Sequence, residues 1–291
     1  MRWWCPILEH RRARCVTLVR VRRWAVLWAA AAWLAAAPAR AQDEVPFVTS
    51  PHPVTVAMLE LARVQPDDLV LDLGSGDGRI VIAAASRFGA RGLGVELSPA
   101  LVERSRENAA RAGVGGRAQF RVQDLFETDL SVASVITMYL LPEVNLQLRP
   151  KLLALQPGTR IVSHDWDMGA WEPDRSIVVD APDKPVGLDR TSRVHLWVVP
   201  ARLAGLWCAG DLALRLEQTF QAVHGRWTQG GARGALQARI DGRTVPLRDG
   251  ADAHARLTLG DDGALNVDSA SGAWAAWRGL TLLRTEQADC R

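Results

Sequence analysis

The run L-V-L-D-L-G-S-G-D-G-R-I-V-I at residues 69–82 changes its hydrophobic pattern around three closely spaced glycines. Residues 69–73 are an apolar run that predicts a buried strand of a parallel sheet. Gly74, Ser75, Gly76, Asp77 and Gly78 follow as a loop, and an apolar helix is predicted from about Arg79. The glycines let the backbone turn tightly and leave bare peptide groups for a ligand to approach. The helix start behind them offers unpaired N–H groups. Strand–loop–helix units of this kind bind nucleotide-like ligands at the carboxyl ends of the strands.

Spacing narrows the ligand. A dinucleotide fingerprint, G-x-G-x-x-G, would need glycine at position 79, where Arg79 stands. A phosphate-binding P-loop would need a longer glycine spacing closed by Lys and Ser or Thr, which is absent. What remains is acid–x–G–x–G–x–G with Asp72 ahead of the glycines. Glu96, in R-G-L-G-V-E-L-S, follows Gly76 by twenty residues at the end of the next predicted strand. A carboxylate there accepts both hydroxyls of a ribose. The loop carries no phosphate-binding cation of its own, which suits a nucleoside ligand without a pyrophosphate.

Outward from this loop the chain alternates between helical and strand patterns. A lead-in segment, F-V-T-S-P-H-P, precedes a helix predicted over 54–64 that would lie across the sheet edge of the pocket. After the loop come a helix (80–88), a strand (92–97) and a helix (100–112) opened by the Ser98-Pro99 cap. Strands at 119–122 and 132–140, a helix at 144–155 and a strand at 160–163 follow. Two last strands, 176–180 and 193–199, have no helix between them. Five β–α units and a strand pair predict an α/β, doubly wound, seven-stranded Rossmann-like sheet with its seventh strand antiparallel. Beyond Pro200, turn signals recur at Gly210, Gly230-Gly231, Asp241-Gly242, Asp249-Gly250 and Asp261-Asp262-Gly263. They predict a small all-β meander or barrel with no catalytic constellation.

The net charge of +3 is misleading, because residues 1–41 carry eight Arg and one Glu. Subtracting their +7 leaves −4 for residues 42–291. A mildly acidic body with no basic block is a poor nucleic-acid binder. Residues 20–41 have the layout of an export signal: Arg20, Arg22 and Arg23, an apolar stretch over 24–37, and Ala39-Arg40-Ala41 ahead of Gln42. The expected product is periplasmic or secreted, or membrane-anchored if the signal stays uncleaved. Residues 1–15 read as an over-extended start. The expected organisation is therefore a signal peptide at 1–41, a first domain at 42–200 and an all-β accessory domain at 201–291. Once the leader is removed, Cys208 and Cys290 remain, compatible with one disulfide or with two free thiols. No Cys or His spacing suggests a metal. Oligomeric state is not legible.

With these residues in hand, the chain resembles the class I S-adenosylmethionine-dependent methyltransferases. F-V-T-S-P, M-L-E-L-A, D-L-G-S-G-D-G-R-I-V, G-V-E-L-S-P and D-L-F-E-T-D-L-S, in that order, are similar to one seven-strand subgroup. It holds the mitochondrial lysine methyltransferases acting on the adenine nucleotide translocase and the ATP synthase c-subunit, with bacterial relatives. The resemblance covers roughly residues 45–172. It implies S-adenosylmethionine as methyl donor, with the loop (Gly74, Ser75, Gly76, Gly78) facing the methionine part and Asp72 reaching its ammonium. Glu96 would take the ribose, Leu97 would pack on the adenine, and Asp124 and Leu125 would take the adenine amine and ring face. Asp124 also reads as a simple turn cap.

The tip of the fourth strand, where such enzymes place substrate-facing groups, reads T-M-Y-L-L-P. Tyr139 is the catalytic candidate, with an aromatic closing the sheet end as the plainer reading. Asn145 is a weaker one. His164, Asp165 and Trp166 end the fifth strand on the substrate side, and a structural role is expected of each. His52 has no assignment. The tip departs from an N-P-P-Y type motif, which argues against an amide-nitrogen acceptor. The expected activity is N-methylation of a protein lysine. Two alternatives stay open: a small-molecule methyltransferase, and an exported non-catalytic protein that keeps the fold as a nucleoside- or partner-binding module. Membrane contact is expected only through the signal segment.

Overall fold

The computed structural model describes residues 48–250 and 252–290, within one compact unit spanning Phe47–Arg291. The expected export signal at 20–41 lies outside the described residues. Among the described residues no helix is long and apolar enough to cross a membrane.

The first sheet is built from β1 (Leu69–Leu73), β2 (Arg91–Glu96), β3 (Ala118–Val122), β4 (Val135–Met138), β5 (Arg160–His164), β6 (Arg175–Asp180) and β7 (Thr191–Val198). Their order is β3-β2-β1-β4-β5-β7-β6. β1 to β5 run parallel, and β7 is inserted antiparallel between β5 and β6. The central strands are near-continuous apolar runs because both faces are covered, and β4 is buried at every position. Strand order reverses between β2 and β4 on either side of β1, so a crevice opens above the carboxyl end of β1.

Helix α1 (His52–Leu61) packs against β5, β6 and β7 and against α2 (Arg79–Phe88). It starts at His52, not Val54, behind the N-cap Pro51 and with proline in its first turn. α2 stops at Gly89, which takes a left-handed φ of 71° that ends the helix. Helix α3 (Pro99–Arg111) begins after Ser98, whose hydroxyl accepts the Leu101 N–H at 3.4 Å. Helix α4 (Pro142–Leu153) follows β4.

Two of the five expected β–α units carry no α-helix. Between β3 and β4, Asp124 and Asp129 each cap a three-residue 3-10 turn, at Leu125–Glu127 and Leu130–Val132. These aspartates satisfy local N–H groups in a way that competes with a continuous helix. They also shorten the fourth strand, expected at 132–140, to Val135–Met138. Between β5 and β6 the chain turns through Asp165 (φ 61°) and Gly169 (φ 63°). Met168 and Trp171, both fully buried, fill the sheet face with Trp197 and Leu148 where a helix would have packed.

The second sheet is wholly antiparallel and is built from β8 (Gly205–Ala209), β9 (Leu212–Thr219), β10 (Ala222–Gln229), β11 (Ala232–Arg239), β12 (Thr244–Asp249), β13 (Ala253–Leu259), β14 (Leu265–Ala270) and β15 (Thr281–Thr285), ordered β11-β10-β9-β8-β15-β14-β13-β12. Alternation puts Leu212, Leu214 and Leu216 inward on β9 (Leu212–Thr219), and Val245 and Leu247 inward on β12 (Thr244–Asp249). Trp207, Trp274 and Trp277 fill the same core. Cys208 and Cys290 are disulfide-bonded, with Cα atoms 5.6 Å apart. This sheet meets the first at the amino ends of β5 and β6. Gln221 Nε2 donates to the Glu172 carbonyl at 2.7 Å, and Arg239 pairs with Asp174 at 3.0 Å. Phe220 stacks near Trp171, and Ala201 N–H donates to the Gly242 carbonyl.

Candidate active site

The crevice above β1 is a solvent-open cleft of about 330 Å³ walled by residues between Val48 and Tyr139. Its floor is the glycine loop. Gly74, Gly76 and Gly78 have φ of 73°, 53° and 81°, the left-handed region that favours glycine. The N–H groups of Gly74 and Ser75 both donate to the Val95 carbonyl at 3.0 Å, folding the loop back over β2. Helix α3 pins it from behind: Ser105 Oγ donates to the Gly76 carbonyl and Asn108 Nδ2 to the Asp77 carbonyl, each at 2.8 Å.

Three carboxylates converge here. Asp72, at the end of β1, is 3% exposed and accepts a 2.7 Å bond from Thr137 Oγ1 on β4. Burial, reinforced by the charges of Glu96 and Asp77, pushes its carboxyl up to about 7 against the pull of Thr137. Glu96 reaches across from β2, its Oε2 accepting the Gly76 N–H and its Oε1 the Ser98 N–H, both at 3.0 Å. Asp77 is partly buried, which raises its carboxyl, but the fork of Arg79 (Nε–Oδ1 2.9 Å, Nη2–Oδ2 2.7 Å) outweighs that and holds it below the ordinary range. Arg79 also donates from Nη1 to the Ser50 carbonyl at 2.8 Å.

On the far side Tyr139 follows the last residue of β4 and stacks on His164, with centroids 3.9 Å apart and planes at 26°. Partial burial, then the charge of Asp165, raises the Tyr139 hydroxyl above its usual range, so it keeps its proton. His164 is fully buried, with Nδ1 on Ser50 Oγ and Nε2 on Ser192 Oγ, both at 2.8 Å. Burial depresses it to about 4 despite Asp165, so the ring is neutral near pH 7. Lys184 takes up the Asp165 charge at 2.8 Å.

Of the residues expected from sequence, Asp72, Gly74, Ser75, Gly76 and Tyr139 wall this cleft. Glu96 adjoins it through Gly76, while Gly78 lies beneath the loop, where a Cβ would fall 2.7 Å from the Phe120 ring. Leu97 and Val122, 65% and 51% exposed, stand at the tips of β2 and β3. Asp124 lies just beyond, its Oδ1 accepting the Phe126 N–H at 2.7 Å, and Leu125 packs inward from it. Asn145 is buried, bridging to Ser163 and the carbonyls of Trp166 and Asp167. His52 is exposed at the start of α1. Ser50, Asp77, Arg79, Thr137, Ser105 and Asn108 belong to the site without having been singled out. Only the first three had a signal, in the lead-in motif and the variable positions of the loop. Among the described residues no group of His, Cys, Asp or Glu could hold a metal.

The residues present fit a cationic nucleoside ligand: three carboxylates face one cation, already engaged by Asp77, and the buried Ser75 Oγ on the cleft wall has no partner. Sheet order, loop and ribose-type carboxylate together define a class I S-adenosylmethionine-dependent methyltransferase. Residues 72–175 match the family described as the ANTKMT methyltransferase domain. A protein-lysine N-methyltransferase of Saccharolobus islandicus is 45% identical over 138 residues, 47% of this chain and 86% of its own. The adenine nucleotide translocase lysine N-methyltransferase of Mus musculus is 37% identical over 131 residues, 45% of this chain and 57% of its own. A solved RNA methyltransferase from Salinibacter ruber, in complex with S-adenosyl-L-homocysteine, is 51% identical, covering 54% of this chain and 96% of that one, with a TM-score of 0.48. The chain belongs to this protein-lysine N-methyltransferase family and is an S-adenosylmethionine-dependent methyltransferase.

Proposed function

We propose that the protein methylates the side-chain amine of a protein lysine from an exported position. The observation that carries this reading is the excess of carboxylate in the cleft, where Asp72 has no cationic partner of its own. When bound, S-adenosylmethionine would supply a methyl carbon to an in-line amine lone pair, the C–S bond breaking to leave S-adenosylhomocysteine and the methylated amine giving its extra proton to solvent. The protein's part is alignment. Asp72 holds the ammonium of the amino-acid end, with the glycine loop facing it, and Glu96 takes the ribose hydroxyls. Leu97, Asp124 and Leu125 bracket the adenine. Tyr139, protonated and fixed by its stack, lines the acceptor side and accepts an amine N–H so that the lone pair faces the methyl carbon. Partial desolvation in the cleft favours the neutral amine.

Residues 42–200 carry this chemistry in our reading, and 201–291 form an accessory domain docked away from the cleft. The Cys208–Cys290 disulfide supports export, because such bonds persist in oxidising compartments. The same bond favours a second reading, an exported non-catalytic binding module, since S-adenosylmethionine is made in the cytosol. Protein purified from cells expressing the full chain is tested by calorimetry with S-adenosylhomocysteine and by transfer of labelled methyl to cell-envelope proteins. Binding with labelled lysine upholds the proposal. Binding and turnover without protein labelling points to a small-molecule acceptor, and no binding overturns the cofactor assignment.

A further inference from the structure

Residues 48–50 of the lead-in motif have no part in the chemistry described above, yet they line the cleft. Val48, Thr49 and Ser50 wall it together with the glycine loop. Ser50 is 4% exposed and is held at two points by two different parts of the site. Its carbonyl accepts Arg79 Nη1 at 2.8 Å, and Arg79 is itself fixed by both oxygens of Asp77. Its hydroxyl meets His164 Nδ1 at 2.8 Å, and the other ring nitrogen is fixed by Ser192. Tyr139 lies flat on that ring. A line of contacts thus runs Asp77–Arg79–Ser50–His164–Tyr139, from the cofactor loop to the acceptor side.

We propose that Ser50 is a positioning residue that locks this segment at the cleft wall and sets the plane of Tyr139 through His164. The inference rests on the methyltransferase reading of the cleft, but its geometry can be tested without turnover. Neither partner of Ser50 has another way to do this. Arg79 is held to the loop by Asp77, so it fixes the carbonyl of Ser50 but not its side chain. His164 is neutral, so a hydroxyl is a sufficient partner and no charge is stranded when it is removed. Ser50→Ala therefore deletes one hydrogen bond and leaves the Arg79 contact in place. The segment then keeps its backbone anchor and loses its tie to the aromatic pair.

Tyr139 is the only tyrosine in the chain, so incorporation of 3-fluorotyrosine yields one fluorine NMR signal from this position. In the wild-type protein we expect one sharp signal that moves when S-adenosylhomocysteine is added. In Ser50→Ala the signal of the free protein shifts and broadens. The dissociation constant for S-adenosylhomocysteine by calorimetry rises about tenfold, as expected for loss of one buried hydrogen bond. Ser50→Thr, which keeps the hydroxyl, restores both. His164→Asn, whose amide can occupy the place of Nδ1, is the second variant; it retains more affinity than His164→Gln, whose amide reaches toward Ser192 instead. Near-ultraviolet circular dichroism and melting confirm that each variant is folded. An unmoved signal with affinity within twofold in Ser50→Ala overturns the proposal, as does Ser50→Thr behaving like Ser50→Ala. A wild-type protein that does not bind S-adenosylhomocysteine, while Ser50→Ala still moves the signal, overturns the cofactor reading and leaves the positioning role standing.

Discussion

The hydroxyl of Thr137 donates a 2.7 Å hydrogen bond to Asp72 Oδ1 from the neighbouring strand, and it is the one contact that favours the ionised form of that buried carboxyl. Register brings them together: Asp72 on β1 lies opposite Thr137 on β4. Burial, with the charges of Glu96 and Asp77, outweighs that contact, so the Asp72 carboxyl titrates near neutrality instead of in the usual carboxylate range.

Binding of a cationic amino-acid end needs the ionised carboxylate. Affinity for S-adenosylhomocysteine should rise as pH goes from 6 to 8, crossing the Asp72 value of about 7. Near pH 7, binding should release a fraction of a proton, read by calorimetry in buffers of different ionisation enthalpy. Thr137→Val should move the midpoint upward and weaken binding at pH 7 by about 1.5–3 kcal/mol. Asp72→Asn should abolish the proton release.

The same group affects stability with a definite sign. Its folded value lies above the 3.8 of the free group, so the folded chain holds the proton more tightly between those values. That contribution is fully present below pH 3.8 and is lost as pH rises through about 7. Chemical denaturation from pH 5.5 to 8 should show wild type losing more stability than Asp72→Asn.

Glu96 accepts an N–H on each oxygen, from Gly76 and from Ser98. Glu96→Gln should turn one of those oxygens into an amide that faces an N–H with nothing to accept it. Loss of the ribose contact adds to this, and the dissociation constant for S-adenosylhomocysteine should rise about 10- to 100-fold, or roughly 1.5–3 kcal/mol. An affinity within twofold of wild type would remove Glu96 from the site.

Gly78 and Gly113 have similar left-handed φ of 81° and 70°, but only Gly78 has neighbours within contact distance. Gly113→Ala should cost about 1 kcal/mol of backbone strain, and Gly78→Ala clearly more because its Cβ meets the Phe120 ring. Urea unfolding of the two variants side by side checks the difference.

The Cys208–Cys290 disulfide closes a loop of 82 residues around most of the second sheet. The chain-entropy model puts its stabilisation at about 4.5 kcal/mol. Reduction, or Cys208→Ser, should lower the melting midpoint. Because the cleft is walled by residues from Val48 to Tyr139, S-adenosylhomocysteine affinity of the folded protein should stay within about twofold.

Much of the site was readable from the chain because it is encoded locally. The loop conformation needs glycines at fixed offsets, and the Glu96 carboxylate falls at a spacing set by one strand–helix–strand unit. Strands of the first sheet are written as apolar runs and those of the second as alternation between Asp-Gly and Gly-Gly turns. Counting five β–α units implies a helical crossover after β3 and β5, although no helical pattern is written at either place. Here capping aspartates and the Met168–Trp171 packing occupy that space instead.

The remaining features depend on pairs far apart in the chain, for which no periodicity exists. Thr137 hides in an apolar strand and matters only because register sets it against Asp72. Ser50 and His164 are 114 residues apart, and Cys208 and Cys290 are 82 apart. Local patterning specifies which faces must be buried and where the backbone must turn. Which polar groups then satisfy one another inside the buried space is settled by packing, since a hydrogen bond forms wherever burial would otherwise strand a donor or acceptor.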